Sequence, residues 1–333
     1  MTPSAITCVI PAYNRESLVA RAVRSALDQT SAPSEIIIVD DGSTDGTVDA
    51  VGQFGSPVRC ITQENRGCAS ARNRGVQESQ TEWVAFLDSD DYWTPHHLEK
   101  IEAAISATHG EADYYFANVQ RPGNEGGVNQ WRRAHFDVDE DWKLNENGQD
   151  WVLRPRIPMM LQGAVFSRER FLQKGALWEE LRTREDTHCF MTHSIGYPVC
   201  AVRHLGAVMT ADAPAEARLT RGVLKRRSIP YWKHSLRIWE DVLRQHPQLE
   251  GPGYELLRHR LFLAHWRLSW LSLAAGRPIQ FALQALAALT TAPKLLASSL
   301  LGCRPTEHAI VPWDATDEGT TTPFLNDPDT VSG

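Results

Sequence analysis

The chain has 333 residues, 42% hydrophobic and 23% charged, with 34 Lys plus Arg against 41 Asp plus Glu and a formal net charge of -7. This length supports one large globular domain with an appended subdomain and excludes a single small module. The acidic balance excludes a general attraction to nucleic acid, so any phosphate-bearing ligand must be held locally.

The opening "MTPSAITCVIPAYN" lacks the basic segment and long apolar core of a signal peptide, because Pro11 and Asn14 interrupt it. Cys8, Cys60, Cys68, Cys189, Cys200 and Cys303 show no Cys-X-X-Cys or zinc-type spacing. They read as reduced thiols of a cytoplasmic protein. Over the first 120 residues short β-branched runs alternate with helix-period segments: "ITCVI", "SLVARAVRSALDQ", "EIIIVD", a Gly/Ser/Thr turn, "VRCI", "ASARNRGVQES", "WVAFLD" and "HLEKIEAAIS". In the first helix Leu18, Val19, Ala22, Val23, Ala26 and Leu27 form one apolar stripe. The alternation predicts an α/β fold, a mostly parallel sheet flanked by helices with ligands at the carboxyl ends of its strands. Strand one ends at "PAYN", strand two at "DDGSTDGT" and the fourth at "DSDD", so three polar clusters converge on one rim.

Residues 121–157 are polar, Gly-containing and tryptophan-studded without clear periodicity, which predicts a long loop or flap. Regular patterning resumes at "MMLQGAVFSRERF". Beyond residue 214 the chain is strongly helical, with Trp232, Leu236, Trp239 and Leu243 at 4, 3, 4 spacing. Within "RGVLKRRS" Arg221, Lys225, Arg226 and Arg227 lie close together, either a solvated helix face or a basic patch for anionic lipid. Residues 279–301 carry a polar stripe, Gln280, Gln284, Thr291, Lys294 and Ser298, with Pro293 as a kink. This predicts a packed amphipathic helix and not a membrane span; the other reading is an interfacial helix on the inner face of the membrane. The divisions expected are 1–210, 211–301 for the helical C-terminal region, and a loosely ordered tail over 302–333.

In "WVAFLDSDDYW" three carboxylates fall within four positions, and alternation puts Asp88 and Asp90 on one side of an extended turn. A hard divalent cation, Mn²⁺ or Mg²⁺, would offset their repulsion. The competing reading is a helix cap, Asp91 or Thr94 closing a helix that begins near Pro95. In "DDGSTDGT" Asp41, Ser43, Asp45 and Gly46 match the start of a calcium loop, but Gly52 stands where a bidentate Glu is needed, so that reading is set aside. A strand-to-helix turn capped by Asp40 or Asp41 is the plainer alternative. Arg72 and Arg74 read either as diphosphate donors or as surface ion pairs.

Together "VIPAYNRE", "IIIVDDGSTDGT", "NRGCASARNRG" and "WVAFLDSDDYW", in this order, resemble family 2 glycosyltransferases of the A-type nucleotide-sugar-dependent fold. The resemblance is close over about residues 5–120 and fades towards 205. It implies a nucleotide-sugar-binding part over 1–120 and an acceptor side with the catalytic base over 121–210. It implies that Pro11, Ala12, Tyr13 and Asn14 pack around the nucleoside base, and that Asp41, with Asp40 beside it, hydrogen-bonds the base. Gly67, Arg72, Asp88 and Ser89 would line the diphosphate, and Asp88 and Asp90 would hold Mn²⁺ or Mg²⁺. "LRTREDTHCF" resembles the family's Glu-Asp motif, which makes Asp186 the base that deprotonates the acceptor, with Glu185 beside it; the alternative is a helix-dipole charge. The absence of a Gln-X-X-Arg-Trp motif implies single addition. His193 and His204 read as structural. The implied partners are a UDP-sugar donor and a glycan or lipid-linked acceptor of cell-envelope polysaccharide synthesis, with peripheral membrane contact through the C-terminal helices. The alternatives are a catalytically silent glycan-binding scaffold and a nucleotidyltransferase, the latter opposed by the lack of a Gly-rich loop followed by Lys.

Overall fold

The computed structural model describes residues 5–122, 128–210 and 228–291. The basic cluster at Arg221 to Arg227, Pro293, Lys294, Ser298, Cys303 and the 302–333 tail lie outside them.

The alternation folds as expected into β1 (Ile6–Ala12), α1 (Val19–Leu27), β2 (Glu35–Asp40), α2 (Thr47–Gly52), β3 (Val58–Thr62), α3 (Cys68–Glu78), β4 (Trp83–Phe86), β5 (Tyr92–Trp93), α4 (His97–Ala107) and β6 (Tyr114–Arg121). β3, β2, β1 and β4 pair in parallel in that spatial order. Their carboxyl ends therefore share one edge. Ile6, Cys8 and Ile10 face a cluster with Val19, Ala22, Val23, Ala26, Leu98 and Ile101. Val9 points the other way, into a second cluster with Val76 and Phe86. The period-2 alternation of buried strands thus separates two apolar layers, each covered by helices. α3 reaches very close to β1 because Gly75 has no side chain: a Cβ there would lie 2.3 Å from Val9 Cγ1.

The second half makes the sheet mixed. β9 (Ala164–Ser167) inserts antiparallel between β4 and β6, and β10 (Val199–Val208) runs parallel to β6 and antiparallel to β5. The expected flap at 121–157 is not a loop. Among the described residues it holds β7 (Val128–Asn129), α5 (Gln130–Arg133), β8 (Trp142–Asn145) and α6 (Gln149–Val152), and β8 pairs with β10. Trp131, Phe136, Val138, Val152, Leu153 and Ile157 enter the main core. Single buried residues on short elements leave no period to read, which is why composition suggested a loop.

After α7 (Arg168–Gln173) and α8 (Glu185–Ser194), three helices close the described chain: α9 (Ile229–Gln245), α10 (Gly251–Ala274) and α11 (Pro278–Thr291). α9 buries Tyr231, Ser235, Ile238, Trp239 and Val242. That face is rotated slightly from the stripe read in sequence, with Trp232, Leu236 and Leu243 at its margin. As far as it is described, α11 packs on α10, with Ala288 buried against Phe262, but most of its large apolar side chains do not take part. Gln284 turns inward to His265 Nδ1 at 2.7 Å, while Ile279, Leu283, Leu286 and Leu289 are exposed.

Candidate active site

β1 and β2 are stitched together at their ends. Asn14, at φ 52, donates its backbone N–H to Ser43 Oγ at 2.9 Å and accepts from the Thr44 N–H at 2.8 Å through Oδ1. This holds Pro11 and Ala12 in the strand and leaves Tyr13 45% exposed at the rim. Asp40 and Asp41 are both buried. Asp40 accepts weakly from the Ser43 N–H, at 3.3 and 3.4 Å. Asp41 accepts from Gln63 Nε2 at 2.8 Å, from the Arg66 N–H at 2.9 Å and from the Gly67 N–H at 2.8 Å. The carboxylate thereby ties the loop after β3 to the end of β2. Gly67 caps α3 at φ 95, a backbone conformation that costs glycine little.

Beyond β4, one carboxylate oxygen from each of Asp88, Asp90 and Asp91 lies within 4.8 Å of the others. Neither Asp91 nor Thr94 caps a helix: α4 begins at His97 after His96, without a side-chain cap. Asp91 instead is buried and accepts from the Thr210 N–H at 2.9 Å and from Gln162 Nε2 at 3.2 Å. Burial, and then the Asp88 and Asp90 charges, push its carboxyl up to about 8. Ser89 is buried beside it. The Asp90 carbonyl accepts from the Thr210 hydroxyl at 2.7 Å and from the Arg21 guanidinium, which fixes the turn.

Arg72 joins the two halves of the site. Only 5% exposed, it places one terminal nitrogen 2.6 Å from Asp88 Oδ1 and the other 3.1 Å from Glu185 Oε1. Burial opposes its charge, but Cys68, Asp88 and Glu185 around it hold its pKa above the ordinary value. Arg74 points away and pairs with Glu78 at 2.7 Å on the helix surface. Burial, and then Asp186, push Glu185 up to about 7 against the pull of Arg72. Asp186 stands next to it in the first turn of α8, where its Oδ1 accepts from the Thr187 N–H at 2.6 Å. Its Oδ2 makes no hydrogen bond among the described residues.

Two supports were not legible in the sequence. Gln162, in a short turn before β9, donates to Asp88 Oδ2 at 2.6 Å as well as to Asp91, and its carbonyl accepts from Trp93 Nε1 at 2.7 Å. Nothing in "MLQGA" signals this. Arg184, at φ 64, enters α8 in the left-handed region and is braced by α9, with the Ser235 hydroxyl 2.7 Å from Nη1 and the Trp239 ring 4.8 Å from Cζ. His188 Nε2 also meets Asp241 Oδ2 of α9 at 2.8 Å. The helix that carries Glu185 and Asp186 is thus clamped by the C-terminal region. His193 pairs with Asp113 at 3.1 Å and His204 with His97 at 3.0 Å, and neither is in the carboxylate group.

Comparison with known proteins gives the family and the fold. Residues 7–174 match the model of glycosyl transferase family 2. A glycosyltransferase of Nostoc sp. is 42% identical over 156 residues, covering 45% of this chain and 48% of that protein. The chain spans about half the length of the first curated relatives it matches. Among solved structures, S. aureus TarS 1-349 in complex with UDP-GlcNAc superposes with a TM-score of 0.61 at 15% identity, over 89% of this chain and 92% of that one. The mannosyltransferase PcManGT of Pyrobaculum calidifontis, in complex with GDP-Man and Mn²⁺, gives 0.54 at 19% identity, over 93% and 81%. These two likenesses establish the A-type fold. The family model covers half of the chain and all the rim motifs as far as Asp91, and the chain belongs to glycosyl transferase family 2.

Proposed function

We propose that this chain transfers one sugar from a nucleotide-diphosphate sugar, UDP-linked, to a hydroxyl of a glycan or glycolipid acceptor, with inversion and with Mn²⁺ or Mg²⁺ bound at Asp88 and Asp90. The observation that carries the reading is the Arg72 bridge, which sets the carboxylate cluster and the Glu185–Asp186 pair on one rim. An oxygen-only donor set suits a hard cation. The raised Asp91 pKa fits the same reading, since like charges gathered beside a single buried arginine leave room for another cation. When bound, the ion would neutralise charge on the departing diphosphate.

The chain's own residues would do the rest. Tyr13 offers an exposed ring to the nucleoside base beside Pro11, Ala12 and Asn14, and Asp40 and Asp41 close that side. Gly67 and the α3 N-terminus would face the diphosphate, with Ser89 and Arg72 fixing the turn that meets it. Asp186 would take the acceptor proton as the hydroxyl oxygen attacks the anomeric carbon, on the oxygen that has no partner among the described residues. Glu185, held by Arg72, would orient the pair.

The test is a thermal-shift screen of UDP, GDP and other nucleoside diphosphates with and without Mn²⁺, followed by UDP-sugar hydrolysis. A metal-dependent rise with UDP together with UDP release supports the proposal. Hydrolysis of no nucleotide sugar would favour a silent glycan-binding role.

A further inference from the structure

We propose that α11 and the end of α10 form a docking surface for an anionic lipid bilayer, a binding role that goes beyond sugar transfer and does not depend on it. Ile279 is 76% exposed, Leu283 61%, Leu286 58% and Leu289 42%. Their 4, 3, 3 spacing places them on one face of the helix. Trp270, 50% exposed, and Leu273, 42% exposed, extend the apolar area on α10, and Trp270 meets Phe281 edge-on at 5.8 Å between ring centroids. A packed helix of a water-soluble protein turns such a face inward. Here the inward side carries Ala288 on Phe262, Gln284 on His265 and the Thr291 carbonyl on Arg258, while the larger apolar residues are left outside.

Charge identifies the occupant. The whole chain is acidic, yet no Asp or Glu occurs between Glu255 and Glu307. Arg277 is exposed at the turn into α11, and α11 itself has no charged residue. An apolar face with a half-exposed tryptophan, an exposed arginine at its edge and no acidic residue on its helix matches the headgroup and acyl boundary of an anionic membrane. Among the described residues no helix is long and apolar enough to cross a bilayer, so the surface would lie on the membrane and not span it.

The experiment uses the full chain and sedimentation with vesicles of equimolar phosphatidylglycerol and phosphatidylcholine, against vesicles of phosphatidylcholine alone. Partition should favour the anionic vesicles and fall with salt. The double variant Leu283→Gln, Leu286→Gln should bind at least about tenfold more weakly, because two exposed leucines no longer enter the acyl boundary. Arg277→Glu should lose affinity chiefly for the anionic vesicles. Both changes lie far from Asp88 and Asp186 in sequence and on exposed positions, so melting temperature and nucleotide binding should stay as in the parent, separating this result from the catalytic proposal. A parent that stays in the supernatant, or a double variant that sediments equally well, overturns the proposal. So does protection of Leu283 and Leu286 from hydroxyl-radical oxidation in the vesicle-free chain, which would mean that residues 292–333 or a second copy already cover the face.

Discussion

Replacing Arg72 by Gln should destabilise the protein by about 3 kcal/mol, and a divalent cation should recover part of that loss. Arg72 is 5% exposed and makes two charge-assisted hydrogen bonds, to Asp88 at 2.6 Å and to Glu185 at 3.1 Å. Removing one partner of a buried ion pair costs roughly 3–5 kcal/mol, because the remaining charge stays buried without its counter-ion. Here Asp88 keeps Gln162, and its side chain is 26% exposed, so solvent and one neutral donor moderate the loss. Gln can also retain one neutral hydrogen bond, a contribution of about 1 kcal/mol. With an unfolding entropy of about 2.1 cal/mol/K per residue, about 3 kcal/mol in a chain of 333 residues corresponds to a fall in melting temperature of roughly 4 °C. The assay is thermal unfolding of parent and variant at neutral pH with and without Mn²⁺. In the variant Asp88, Asp90 and Asp91 lack their neighbouring cation, so Mn²⁺ should raise its melting temperature more than that of the parent. A variant melting within about 2 °C of the parent would refute the bridge as an energetic link. A Mn²⁺ response equal in both proteins would refute the cation site.

Asp186→Asn should cut transfer by roughly 10²-fold or more while UDP affinity and melting temperature change little; near-normal turnover at saturating substrates would move the role of base to Glu185. Asp90→Asn should weaken metal-dependent UDP binding and leave the fold intact, and calorimetry giving the parent's affinity would sink the metal assignment. Glu185→Gln should change the pH dependence of stability. The folded state raises the Glu185 pKa from 4.5 to about 7, so the parent loses stability as pH climbs through that window, by on the order of 3 kcal/mol once the group is fully ionised. The variant carries no such proton, so its stability relative to the parent should rise between pH 5 and pH 8; parallel profiles would exclude the raised pKa. Arg184→Lys keeps the charge but loses the planar contact with Trp239, and should lower kcat with little change in the KM for the donor, since this contact braces the entry to the helix bearing Glu185 and Asp186. A raised donor KM with unchanged kcat would speak against that brace.

The order of the rim motifs was legible in the sequence because each sits at a strand end whose period announces it. "EIIIVD" and "WVAFLD" are buried on both faces, and in a parallel sheet the residues that follow them must emerge at the same edge. Asp40, Asp41, Asp88 and Asp90 could therefore be placed together before any coordinates. What period cannot carry is the identity of a distant partner. Arg72 lies on a helix buried almost all round, so nothing local distinguishes it from the surface arginine at position 74; only the fold, by bringing the first turn of α8 within reach of α3, decides that it meets Glu185. Gln162 reads as one more polar residue until β9 inserts between β4 and β6 and brings it to Asp88. The 121–157 segment gives no period because its buried aromatics sit singly on short elements, and only pairing with β10 reveals them as core. For α11 the amphipathic pattern was legible but its direction was not. A helical pattern defines two faces, and which of them turns inward depends on the neighbouring helix, where His265 and Arg258 supply partners for Gln284 and the Thr291 carbonyl. Local chemistry sets the faces and the turns, and tertiary packing sets what each polar group meets, because hydrogen bonds and ion pairs act only over the few ångströms that the fold brings together.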